Sequence, residues 1–224
     1  QTKPRPMVST HKTERWPAMS EQGSQEWLAE RAGKWTGSKF VDVMAISERT
    51  GKPLKARSDA VWQVVVERMT GQAIEGPGGF ALAWGHEVEQ FARDAYELET
   101  GNVVQQVGFI EHQEFPFAGA SPDGLIDDDG GLELKCPRDS RIHLDRFLSG
   151  VPAEYIPQIQ GCMWVTGRQW WHFASYDPRM PESHRLLIIK VPRDEAVIAK
   201  IQAAVLAAEA EAQELHKQLL RIAA

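Results

Sequence analysis

The chain is short of the groups that most often announce a chemistry. Only two of its 224 residues are cysteine, Cys136 and Cys162. A thiolate zinc site or an iron–sulfur cluster generally needs about four ligands, so both classes, including iron–sulfur nucleases, are set aside. Two reduced, buried thiols are expected rather than a disulfide, which points to the cytoplasm. No apolar run approaches the roughly 20 residues that span a bilayer. The first twenty residues are polar and lack the apolar stretch of a secretory signal, so no membrane role is expected. Positive charge is also scarce, with 25 Lys and Arg against 31 Asp and Glu, a net of −6. That total argues against a nucleic-acid partner until its distribution is considered.

Residues 1–57 carry eleven Lys/Arg and six Asp/Glu; the remainder carries fourteen and twenty-five. A basic N-terminal third can face phosphates while acidic surface elsewhere sets the sum. With 42% hydrophobic residues and eight Trp, the chain can bury a sizeable core. Residues 1–20 show no periodicity and read as a flexible arm, leaving 21–224 as one domain.

Within that domain, Ser24 opens a capping-box pattern ahead of a helix over 25–32, and Ser38 caps a second helix to about Met44. The spacing predicts further helices over 59–70 and 81–99, the latter ended by Gly101. Strands follow at 103–110, 117–120 and 132–136. Helices are expected over 140–148 and 154–165, the second tolerating Pro157 only in its first turn. Strands at 170–176 and 185–191 precede a long helix over about 194–223 with one break. This order gives an α/β domain: a central mixed sheet flanked by helices.

The informative segment is Ser121-Pro122-Asp123, then nine residues, then Glu133-Leu134-Lys135. Glu133 and Lys135 lie two apart on a strand and share a face, while Leu132 and Leu134 take the other. Asp123, at the exit of the preceding strand, returns through the acidic turn 127–131 to meet Glu133 at one sheet edge. Two adjacent carboxylates repel, so one pKa rises unless a cation lies between them. Hard oxygen donors suit Mg2+ or Mn2+, and Mg2+ needs only one or two protein carboxylates beside water and substrate phosphate. Such an ion serves phosphodiester hydrolysis. Cations nearby would depress the pKa of Lys135 and open a base-like role to it. The bland alternative is a solvated same-face ion pair on an edge strand, worth about 0–1 kcal/mol. Trp164, Trp170 and Trp171 can stack bases or fill a core. Cys136, by alternation, faces away from the metal and packs.

Pro122-Asp123…Glu133-Leu134-Lys135 resembles the PD-(D/E)xK nuclease motif. The flanking segments at 81–85, 121–124, 131–137, 163–166 and 176–180 resemble, in order and spacing, the lambda exonuclease and YqaJ-like viral recombinase family. The likeness spans about 24–200 and is weak over 1–20, 50–75 and the last helix. It implies a PD-(D/E)xK core with Asp123, Glu133 and the main-chain carbonyl of Leu134 as metal ligands and Lys135 as the catalytic lysine. Glu89 joins the metal site; bottom-up, Glu87 competes with it, and only the family register selects Glu89. Arg31, Ser38, Ser121 and Gln158 fall at positions resembling the pocket for a terminal 5′ phosphate, with Gln160 a lesser candidate. A guanidinium fork with short hydroxyl donors suits that anion. Arg49 matches a strand-separating contact and Leu82 an apolar wedge, in a region that departs from the family pattern.

The resemblance further implies Mg2+ as cofactor, with Mn2+ substituting and two ions per site. The implied substrate is a double-stranded DNA end, degraded 5′→3′ to leave a 3′ overhang for recombination. A homotrimer ring and a single-strand annealing protein are the implied partners, in a bacterial or phage-infected cell. An endonuclease or repair nuclease of the same superfamily, or a catalytically silent DNA-end binding module, are the other readings. Intact Asp123, Glu133 and Lys135 argue against the silent module, which has no chemical need for all three.

Overall fold

The computed structural model describes residues 20–74 and 80–222, apart from the side chains of 80–83, 85 and 86. The expected arm therefore lies outside the described residues, save Ser20, whose hydroxyl donates to Glu30. Helices α1 (Gln25–Arg31), α2 (Lys39–Val43), α3 (Lys55–Thr70) and α4 (Phe80–Thr100) come first. Ser24 caps α1 as its sequence demands, accepting from the Trp27 amide. Ser38 stands at the start of α2 but makes no capping bond, and α2 is only five residues long. Gly101 ends α4 at φ +70, where its N–H donates to the Glu97 carbonyl.

Strands β1 (Val104–Gln105), β2 (Ile110–Glu111), β3 (Gly119–Ala120), β4 (Gly124–Ile126) and β5 (Gly130–Lys135) follow. The segment read as one strand over 103–110 is thus two short strands in different sheets. The sequence predicts no strand at β4, and Asp123 immediately precedes it rather than closing the strand before. Helices α5 (Ser140–Ser149) and α6 (Ile156–Thr166) carry the chain over to β6 (Trp170–Tyr176) and β7 (Leu186–Pro192). Pro157 lies in the first turn of α6, where its missing N–H has no partner to lose. Helix α7 (Glu195–Ile222) runs unbroken for 28 residues, because Ile198, Ile201, Val205, Ala208 and Ala212 keep one buried stripe throughout.

The main sheet has the order β1-β4-β5-β6-β7, antiparallel except for the β5–β6 pair. Strand β5 is therefore the middle of five, not an edge. That overturns the expected placement of the site at a sheet edge. Gly130 and Gly131 open β5 because of its parallel neighbour. A Cβ on either would lie 2.1 and 2.3 Å from the rings of Trp170 and Trp171. Arg168 donates one nitrogen to the carbonyls of Ile126, Asp127 and Gly130 at 3.0, 2.9 and 2.6 Å. The β4–β5 turn is fixed by that one guanidinium.

Leu132 and Leu134 pack with Val88, Ala92 and Tyr96 of α4 on one face of the sheet. The larger core on the other face gathers α2, α3, α6 and α7 around Trp35, Phe40, Trp171 and Phe173. Trp164 and Trp171 are core residues, 7% and 0% exposed, and do not present stacking surfaces. Gly161 lets α6 approach α2, since a Cβ there would sit 2.1 Å from the Phe40 ring. Gly161→Ala is expected to destabilise the fold by about 1–3 kcal/mol through overpacking. Thermal unfolding should show a fall of about 2–4 °C per kcal/mol; an unchanged melting temperature would contradict this packing.

Candidate active site

Extending the β4–β5 register by one step sets Asp123 opposite Glu133, because Gly124 pairs with Leu132. The Asp123 carboxylate accepts from the Leu134 amide at 2.6 Å, which fixes it across the end of β5. Glu133 is 1% exposed and lies against two donors, Lys135 Nζ and, at 2.7 Å, Gln158 Nε2 of α6. The solvated ion pair considered from sequence is therefore excluded. A cleft of about 860 Å³ opens here, lined by Glu89, Asp123, Leu134, Lys135, Arg146 and Tyr155 among others. Glu89 pairs with Arg93 at 2.8 Å along α4. Glu87, its competitor, is exposed and is not among the cleft residues. Cys136 packs with the α4 cluster but also touches the cleft, where burial first, then Glu89 and Asp123, push its thiol up to about 12.

Burial drives the Glu133 carboxyl up, Lys135 pulls it back, and Asp123 with Glu89 drives it up again, to about 7. The depression expected of Lys135 depends on cations beside it, and the carboxylates alone act the other way. Burial lowers its pKa, but Glu133 and Asp123 outweigh that and hold it above the ordinary lysine value. The ammonium also rests 5.2 Å from the Tyr155 ring centroid. Among the described residues no three His, Cys, Asp or Glu side chains converge closely enough to hold an ion alone. Mg2+ does not require that, taking one or two carboxylates with water and substrate oxygens. The donor chemistry fits: burial makes Glu133 a weak acid, and the charges of Asp123 and Glu89 act on the same carboxyl.

The candidate phosphate residues divide. Arg31 Nη1 donates to Ser121 Oγ at 2.8 Å, and Trp27 Nε1 donates to the same oxygen at 2.9 Å. The Arg31 guanidinium lies over the Trp27 indole at 4.2 Å. Ser121 is two residues before Asp123, so this cluster borders the carboxylates. Gln158 is bonded to Glu133 instead, although a Cβ on Gly37 would touch its Cγ at 3.7 Å. Its stem thus lies against the turn that carries Ser38. Ser38 itself is exposed. Gln160 is structural, donating to the Pro192 carbonyl and accepting from the Asp194 amide. Arg49 is exposed in the turn after α2, with nothing among the described residues joining it to the cleft, and the Leu82 side chain lies outside the described residues.

Sequence reasoning missed Trp27, whose i,i+4 spacing from Arg31 on one helix was the available signal. It also missed Tyr155 and Gln22. The Gln22 amide donates at 2.8 Å to both the Val107 and Pro122 carbonyls and ties the chain before α1 to the motif.

Residues 26–169 match the model of the YqaJ-like viral recombinase domain. The chain belongs to that family. The fold agrees with an alkaline exonuclease from Laribacter hongkongensis, at 37% identity and TM-score 0.81 over 89% of this chain and 98% of that one. The same exonuclease in complex with dAMP matches at 38% and 0.82 over the same shares. A phage-related exonuclease from Haemophilus somnus shares the fold alone, at 17% identity and TM-score 0.64, over 85% of this chain and 96% of that one. A putative uncharacterized ExoD protein of Escherichia coli is 39% identical over 49 residues. That stretch is 22% of this chain and 55% of the Escherichia coli protein. This family member is thus a nuclease with the PD-(D/E)xK fold.

The raised Glu133 pKa has a consequence for stability. Its carboxyl is a weaker acid in the fold than in the unfolded chain. The stability it contributes is full below the ordinary carboxylate value and is lost as pH rises through about 7. In chelator, the melting temperature should fall between pH 5 and 8 more steeply than in Glu133→Gln. Mg2+ should restore it at pH 8 in the wild type only. Parallel curves without a Mg2+ effect would count against a metal between these carboxylates.

Proposed function

We propose that this chain is a divalent-metal-dependent exonuclease that degrades one strand of linear duplex DNA, 5′→3′, from phosphorylated ends. The observation that carries this reading is the bonded Arg31–Ser121 pair two residues from Asp123. An anion site so close to hydrolytic carboxylates suits a terminal phosphate with the next phosphodiester in reach. The similar exonuclease solved with dAMP supports a product of one nucleotide.

Asp123, Glu133, the Leu134 carbonyl and Glu89 would hold Mg2+, with Mn2+ as substitute and two ions per site. The ions would supply charge neutralisation at the phosphate and acidify water. Lys135, an ammonium facing both carboxylates, orients the attacking water and donates to the scissile phosphate. Gln158 fixes the Glu133 carboxylate by its amide. Arg31 presents a planar fork to the terminal phosphate, backed by Trp27, with the Ser121 and Ser38 hydroxyls beside it. Arg49 and Leu82 would part the strands ahead of the cleft. A homotrimer ring on the duplex would give processivity, and a single-strand annealing protein would receive the 3′ overhang for phage-type recombination in the cytoplasm of a bacterial or phage-infected cell.

Digestion of linear duplex DNA in Mg2+ tests the reading. The expected result is mononucleotide release that favours 5′-phosphate over 5′-hydroxyl ends and spares closed circles. Lys135→Ala should lose about a hundredfold or more in rate. Cutting of the circle would replace the reading with an endonuclease, and end binding without hydrolysis with a silent module.

A further inference from the structure

The turn between Arg31 and Ser38 is held by groups that play no part in the chemistry above. One carboxylate, Glu67 of α3, is 1% exposed and accepts four hydrogen bonds. Its Oε2 takes the Gly33 amide at 2.9 Å and the Lys39 ammonium at 2.9 Å. Its Oε1 takes Gln63 Nε2 at 2.8 Å and the Ile74 amide at 3.0 Å. Gly33 is two residues past Arg31, and Lys39 directly follows Ser38. A single oxygen therefore ties both ends of the turn.

The neighbouring residue completes the clamp. Arg68 donates to the Gly33 carbonyl at 2.9 Å and to Glu209 of α7 at 2.6 Å. Glu209 also accepts from the Trp35 indole at 2.8 Å. Gly33 sits at φ +71, and a Cβ there would meet Arg68 Cγ at 2.6 Å, so only glycine serves. Across the turn, Trp35 exchanges backbone bonds of 2.8 and 3.0 Å with Phe117 and Gly119, just before Ser121. The turn is thus pinned to α3, to α7 and to the segment that delivers Ser121.

We propose that Glu67 is the positioning residue of the terminal-phosphate pocket, setting how strongly phosphorylated ends are preferred; this rests on the exonuclease reading above. Its charge is set against three converging cations, Arg31, Lys39 and Arg68. Burial lowers the pKa of Arg31 and of Lys39, and the Glu67 charge partly offsets that in both. A neutral amide at 67 would leave the Lys39 ammonium buried without its counter-charge and turn one acceptor into a donor facing donors. The turn would shift, and the Arg31 fork with it, while Glu133 on β5 and Asp123 before β4 would stay in place.

The test is the ratio of digestion rates on 5′-phosphate and 5′-hydroxyl ends. In Glu67→Gln that ratio should fall about tenfold or more, the scale of one charge-assisted hydrogen bond. The loss should appear in KM for phosphorylated ends, with kcat within about twofold. Glu67→Asp, which keeps the charge on a shorter arm, should be intermediate. If Glu67→Gln does not fold, Arg68→Gln at the rim of the network carries the same expectation. A folded variant with the wild-type ratio, or an equal loss on both end types, overturns the inference alone. A wild type indifferent to the 5′ phosphate overturns the terminal-phosphate reading and this inference with it.

Discussion

The structure depends on one costly act: a carboxylate, Glu133, placed on the middle strand of the sheet and closed off from water. An uncompensated charge there would be strongly destabilising. Two neighbours reduce that cost. Lys135 supplies a cation on the same face, and Gln158 supplies a neutral donor from α6. Asp123 and Glu89 work against it, and the carboxyl ends near 7. A fold selected for stability alone would put an aliphatic residue at 133. With Asp123 and Glu89 lining the cleft beside it, such a residue suits the proposed site, where cations and a phosphodiester would complete the set.

The rest of the architecture serves the placement of that residue. The glycines at 130 and 131 let β5 lie flat against two tryptophans, and Arg168 locks the turn that returns Asp123 to it. The parallel step from β5 to β6 needs a long crossover, and α6 within it brings Gln158. On the other flank, α1 and the turn after it reach the site only through tertiary contacts: Gln22 on Pro122, Arg31 on Ser121, and the Glu67 clamp beneath. On the proposed reading the chemistry would sit on the sheet, while recognition of the end would sit on a turn that must be tied down.

What the sequence revealed follows from periodicity. Alternation set Glu133 and Lys135 on one face, the Ser24 cap and the Gly101 stop bounded their helices, and Pro157 marked the start of α6. The hairpin reading set Asp123 against Glu133, and the family likeness added the Arg31–Ser121 pair, which the fold brings together. What stayed hidden has a different origin. Strand β4 is three residues long and offers no period to read. The middle position of β5 follows from the crossover, which its own residues do not encode. Trp27 to Ser121 spans 94 positions and Trp35 to Glu209 spans 174; such pairs leave no local pattern. The break expected in α7 failed because its apolar stripe, built partly from alanine, stays in phase along the whole helix.

On the proposed function, the buried Glu133 and its neighbours form one site for a metal and a terminal phosphate together. Crystals grown with a short 5′-phosphorylated duplex and Mn2+, read by the anomalous scattering of manganese, test it directly. Manganese is expected between Asp123 and Glu133, with the terminal phosphate on Arg31 and Ser121. Manganese bound elsewhere, with Glu133 still closed on Lys135 and no phosphate at Arg31, would contradict it.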